Sequence, residues 1–176
     1  GHTTTITETA GLRLPIKSFN LAAFVSEPVK PLIDVIVNCP DLGVYLNQSD
    51  KGELVIGGAP DPGQSFRRDV KQNVFEEAVI TMLELFPAFR RLKLLRQWGG
   101  VLDIAHDATP IISATDIPGL FVSCGWWGGF KAVPAGGYTL AHLIATGQPH
   151  NVAAPFTLDR FHHLDFIVES GTTTAR

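Results

Sequence analysis

The segment that most constrains this chain runs from residue 120 to residue 147, LFVSCGWWGGFKAVPAGGYTLAHLIATG. Its first five residues form an apolar run of strand length, and glycines follow at positions 125, 128, 129, 136 and 137. The apolar stretch around and beyond the last two glycines predicts a helix that stops near Gly147. A buried strand that feeds a glycine-rich loop and then a helix brings backbone N–H groups against an anionic or electron-rich ligand. The loop also holds Trp126, Trp127, Phe130 and Lys131. A lysine is costly to bury unless it is paired, so Lys131 at the entrance of an apolar helix reads either as a functional charge or as a lysine that snorkels to the surface.

The rest of the chain divides by pattern. Residues 1–9, GHTTTITET, read as the exit of an element, and 12–18, LRLPIKS, read as an extended connection because of Pro15. Strands are expected at 20–27, 34–39, 43–47 and 53–56, and the short turns between the later ones imply antiparallel hairpins. After the loop GGAPDPGQS, apolar residues Val70, Val74, Ala78, Met82 and Leu85 recur at helical spacing, which predicts a helix over 69–86 closed by Pro87. Asp69 is placed to meet the free N–H groups of its first turn. Residues 92–103 are expected as a strand broken by Gly99 and Gly100, and 110–113 and 120–124 as two more strands. A short helical turn is expected in PFTLDRFHHLDF and a frayed end in ESGTTTAR. The sum is an α+β chain.

Composition narrows the function classes. A chain of 176 residues with 45% hydrophobic content builds one compact core or two small lobes. Net charge is −3 and the 14 Lys and Arg are scattered, which argues against nucleic acid as a partner. No apolar run approaches the roughly 18 residues of a membrane span, and no charged segment precedes an apolar one at the start. Cys39 and Cys124 lie far apart with no second Cys or His at ligand spacing, which fits reduced thiols, a cytoplasmic setting and no metal. His162 and His163 lack acidic or Cys companions. His106 and Asp107 are neighbours on extended chain and point to opposite faces, so a solvated or turn role is expected of them. There is no G-x-S-x-G, CxxC or HExxH pattern.

Five stretches occur here in the order found in one enzyme family: GHTTTITETAGLRLPI, VYLNQSDKGELVIGG, LRQWGGVLDIAHDATPIIS, LFVSCGWWGGFKAVPAGGYTLAHLIATGQPH and PFTLDRF. On these the chain resembles the C-terminal half of sarcosine oxidase beta subunits, within the flavoenzymes that include D-amino acid, glycine and monomeric sarcosine oxidases. The resemblance implies an antiparallel substrate-binding part, residues 10–98. It makes residues 1–9 and 99–176 portions of an FAD-binding α/β lobe. It implies that Lys131, in the GFK of the loop, sits beside the flavin and binds the carboxylate of an amino-acid substrate. Gly1, His2, Gly125, Trp126, Gly128, Gly129 and Phe130 fall on the cofactor side, and Tyr45 and Trp98 are the aromatic residues placed near substrate.

The same resemblance implies what lies elsewhere. The strand, GxGxxG turn and helix that hold the FAD pyrophosphate belong upstream, as does the histidine that carries FMN in the tetrameric enzymes. None of the six His here takes that role, and this chain alone is expected to bind FAD weakly or not at all and to need the missing half and other subunits. Relatives have a loop one residue longer before GFK, with Gly or Ser where Trp127 stands. An aliphatic residue near Val55 replaces the lysine that monomeric oxidases use toward oxygen, which leaves a quinone, a second flavin or another carrier open as acceptor. The activity implied is oxidation of sarcosine to an imine that hydrolyses. A proline or hydroxyproline dehydrogenase-like subunit and a non-catalytic assembly module are the alternatives.

Overall fold

A computed structural model describes residues 1–167, which fall into two compact units. One comprises residues 19–101 and the other residues 1–18 with the described residues from 102 onward, so the chain passes between units within two strands. The frayed end expected at residues 169–176 lies outside the described residues.

The unit of residues 19–101 is built on an antiparallel sheet. Its strands are β1 (Ile16–Pro28), β2 (Val37–Cys39), β3 (Val44–Gln48), β4 (Glu53–Gln64) and β5 (Leu94–Ala105), in the order β2-β3-β4-β1-β5. Alternation sends Ala22, Phe24, Val44, Leu46, Leu54 and Ile56 to one face, where Val74, Ala78 and Met82 of helix α2 (Gln72–Leu85) and Phe89 complete the core. Those helix positions are four residues apart, the spacing that stacks side chains on one face.

Several boundaries differ from the sequence expectations, each for a local reason. β1 starts directly after Pro15, because the ring costs a strand nothing when it stands just outside. The expected strand at 34–39 shrinks to three residues, since the preceding turn is tied to Gln48. Gln48 Oε1 accepts from the amides of Leu32 at 2.8 Å and Ile33 at 3.1 Å. β4 runs on through the expected loop to Gln64, with its prolines at register shifts against β1. The glycine pair does not break β5: a Cβ at Gly99 would overlap Asn20 Oδ1 and stand 2.6 Å from the Arg68 carbonyl oxygen, so the residue admits a close neighbour and stays extended. α2 begins at Gln72 and Asp69 does not cap it; the carboxylate instead accepts from Arg67 Nε at 2.7 Å and Nη2 at 2.6 Å.

The other unit contains α1 (Thr3–Glu8), the hairpin of β6 (Ile111–Ala114) and β7 (Phe121–Cys124), α3 (Gly129–Thr146) and the short α4 (Asp159–His162). Leu14, Ile16, Ala105, Ile111, Val122 and Cys124 form its core, flanked by Leu158 and Phe161. Helix α3 packs against β6 and β7 and ends on Gly147, whose φ of 72° is the left-handed conformation glycine adopts without strain. Among the described residues no helix is long and apolar enough to cross a membrane.

Candidate functional site

β7 delivers the chain to Gly125, where φ is +72° and a Cβ would stand 2.9 Å from that of Ala105. Both the turn and the close approach require glycine there. The loop is shorter than the sequence implies. Gly128 is the N-cap of α3, and Phe130, Lys131, Gly136 and Gly137 lie within the helix instead of ahead of it.

Lys131 therefore occupies the first turn of α3, exposed, with no acidic residue in that turn and no side chain capping it. A cation there opposes the helix dipole and costs roughly 0.3–1 kcal/mol. The lysine folds back along the helix start, since a Cβ on Gly128 would lie 3.4 Å from Lys131 Cε and meet nothing else within 4 Å. Phe130 beside it is fully exposed. The uncapped amides and the ammonium together make a positive spot suited to an anionic group.

The glycines divide by neighbour. A Cβ at Gly129 would press on Trp126, whereas Gly128 leaves its space open but for the lysine. Trp127 is exposed. Gly1 and His2 precede α1 in the same unit, where buried Asp103 gathers donors: the Thr3 amide at 3.2 Å and the Ser18 hydroxyl at 2.8 Å. Burial pushes the Asp103 carboxyl up, but these hydrogen bonds outweigh it and hold the group below the ordinary carboxylate range.

Tyr45 and Trp98 belong to the unit of residues 19–101. Tyr45 lies on β3 and faces away from α2, opposite Gly57. Burial raises its phenol pKa. Trp98 is half exposed on the edge strand β5, with β4 and β1 between it and β3.

His106 and Asp107 lie in the turn that follows β5, the role expected of them. Asp107 is not solvated there: its side chain is 3% exposed and pairs with Arg160, 4% exposed. Nothing in the pattern of the sequence marks Arg160 as a partner 53 residues away, and only the fold brings the two together. His106 is exposed and its ring lies 5.4 Å from that of Phe166. Cys124 is buried, and burial followed by the nearby Asp103 charge pushes its thiol up to about 12. Among the described residues no group of three or more His, Cys, Asp or Glu is placed to hold a metal.

Comparison with known proteins bears on this site. A family model described as FAD dependent oxidoreductase matches residues 1–143. The sarcosine oxidase subunit beta of Rhodobacter capsulatus is 47% identical over 97% of this chain and 41% of its own length. That of Arthrobacter sp. is 44% identical over 97% of this chain and 42% of its own. Among solved structures, L-proline dehydrogenase from P. horikoshii superposes with a TM-score of 0.84 at 24% identity, over 92% of this chain and 45% of that one. Glycine oxidase from Geobacillus kaustophilus gives 0.74 at 24% identity, over 85% and 40%. The chain spans about two fifths of the length of the curated relatives it matches.

Proposed function

This chain belongs to the FAD dependent oxidoreductase family, and from that premise we propose that it is the C-terminal part of an oxidase acting on a secondary amino acid such as sarcosine. The observation that carries the reading is Lys131 in the uncapped, acid-free first turn of α3. Relatives 44–47% identical that are named sarcosine oxidase subunit beta support the choice of substrate.

The turn fits a flavin on its own terms: backbone donors, a lysine and the open side of Gly128 converge at one helix start. FAD, when bound, supplies the two-electron acceptor for amine oxidation. The protein's task is to hold and orient the substrate and exclude water. The Lys131 ammonium donates hydrogen bonds to the substrate carboxylate and fixes the amine end relative to the cofactor. The backbone from Gly125 to Phe130, with Gly1 and His2, forms the cofactor side. Tyr45 and Trp98 supply aromatic surface toward substrate from residues 10–98, and residues 1–9 and 99–176 serve the flavin lobe. The imine product is released to hydrolysis, which needs no protein nucleophile. In the full complex, FMN is attached outside this chain and further subunits are partners.

The test is anaerobic addition of sarcosine to the purified full-length flavoprotein that contains this chain. Bleaching of the flavin band with sarcosine and a much weaker response to proline supports the reading. Bleaching by proline alone transfers the chain to the proline dehydrogenase-like alternative, and a protein that holds no flavin removes the enzymatic reading altogether.

A further inference from the structure

The first turn of α3 is weakly secured by its own backbone. Pro134 lies inside the helix and has no N–H to donate to the Phe130 carbonyl four residues back. The N-cap is glycine and makes no side-chain cap. Glycine at the first helical position adds conformational freedom, and the lysine opposes the dipole. Yet this is the turn that must present Lys131 in one place.

Trp126 lies against that turn. A Cβ built on Gly129 would stand 3.0 Å from Trp126 Cβ, and one built on Gly136 would stand 2.6 and 2.7 Å from Trp126 Cζ2 and Cη2. Gly129 and Gly136 are seven residues apart, which puts them two turns apart on one face of α3. The indole thus lies along the helix in a groove that any side chain would fill. Its Nε1 donates to Ser123 Oγ on β7 at 3.3 Å. Strand, ring and helix are connected by one side chain.

We propose that Trp126 is a positioning residue, a wedge between β7 and the glycine face of α3 that fixes the first helical turn and with it the Lys131 ammonium. Its six-membered ring is spent on Gly136, so it acts through Lys131 and not by touching the reacting atoms. The catalytic consequence rests on the carboxylate role of Lys131 given above; the wedge itself does not.

Two measurements on the full-length holoprotein separate these. Amide hydrogen exchange at Ala132, Val133 and Ala135, whose N–H groups bond back across the first turn, reads the wedge directly. Trp126→Ala and Gly136→Ala should each accelerate exchange there by about tenfold or more relative to the rest of α3. Trp126→Phe placed in the Gly136→Ala background should restore protection in part, because phenylalanine lacks the outer ring atoms that the new methyl meets. Unchanged exchange in Trp126→Ala, or no recovery in the paired variant, overturns the proposal.

Steady-state kinetics then read the coupling. Trp126→Ala should raise KM for a carboxylate-bearing amine by about tenfold, with a smaller change in kcat. Adding Lys131→Met to Trp126→Ala should then cost little more, because the second change removes an interaction already lost. Fully additive losses show that Trp126 does not act through Lys131. A Lys131→Met variant that is silent by itself, beside accelerated exchange in Trp126→Ala, would remove the carboxylate role and leave the wedge standing.

Discussion

Arg160 holds Asp107 with both arms of its guanidinium: Nε donates to Oδ2 at 2.8 Å and Nη2 to Oδ1 at 3.0 Å. Nη2 also donates to the Thr109 carbonyl at 2.9 Å and Nη1 to that of Thr157 at 3.1 Å, while the Ile167 amide reaches Asp107 Oδ2 at 3.3 Å. A buried ion pair with this many hydrogen bonds strongly penalises loss of one partner. Arg160→Ala should destabilise the fold by about 3–5 kcal/mol, read as a fall in denaturation midpoint. Arg160→Lys should recover only part of it, since an ammonium cannot reproduce the fork. A loss below about 1 kcal/mol would place the pair among weak surface bridges.

The same pair sets an acid limb. Burial raises the Asp107 carboxyl and the Arg160 hydrogen bonds and charge outweigh it, leaving the pKa below its ordinary value, as for Asp103. With both folded values depressed, the unfolded chain binds more protons between the folded and unfolded pKa, so stability there rises with pH. Their contribution should be complete above the ordinary carboxylate value of about 4 and fade as pH falls through the folded values. Denaturant midpoints measured from pH 6 downward should drop below about pH 4, with a shallower drop in Asp107→Asn than in the parent. A drop of unchanged steepness in that variant counts against it.

Tyr45 sits over Gly57 across the β3–β4 pair, and a Cβ at Gly57 would overlap its ring. An aromatic side chain covering a cross-strand glycine shields the backbone and pins register. Gly57→Ala should cost about 1–3 kcal/mol by overpacking. Combining it with Tyr45→Ala should cost less than the two single losses together, because the overlap disappears. Simple additivity in thermal denaturation would show that the ring moves aside freely.

Much of this arrangement is legible in the amino-acid order. Helix α2 follows from apolar residues four apart, the β6–β7 hairpin from two short apolar runs around an Asp, Pro and Gly turn, and the α3 stop from Gly147. The errors cluster where a particular neighbour, near or far in the chain, decides. Asp69 had a backbone partner in prospect, but Arg67 is two residues away and offers a bidentate charge. Gly99 reads as a strand breaker, yet Asn20 and Arg68 use its missing side chain from elsewhere in the fold. Asp107 reads as a turn residue and is one, but nothing local announces that Arg160 pairs with it there. The candidate site is legible through the glycines and Lys131. That Gly129 and Gly136 serve a tryptophan could not be read, because spacing does not say what fills a groove.

Cys124 should behave as a buried, inert thiol. With its pKa pushed up to about 12, almost no thiolate exists at neutral pH. A small alkylating reagent should leave it unmodified in the native protein and modify it once denaturant is added, followed by mass spectrometry of the peptide. Rapid native labelling would mean that the unit opens readily.

The carboxylate role of Lys131 is tested most directly by Lys131→Met in the full-length flavoprotein, assayed with sarcosine and with a matched amine lacking the carboxylate. A charge-assisted hydrogen bond contributes roughly 1.5–3 kcal/mol, so KM for sarcosine should rise by about one to two decades. Flavin content should change far less and the carboxylate-free amine should be nearly unaffected. An unchanged KM for sarcosine, or an equal loss with both amines, would contradict the assignment.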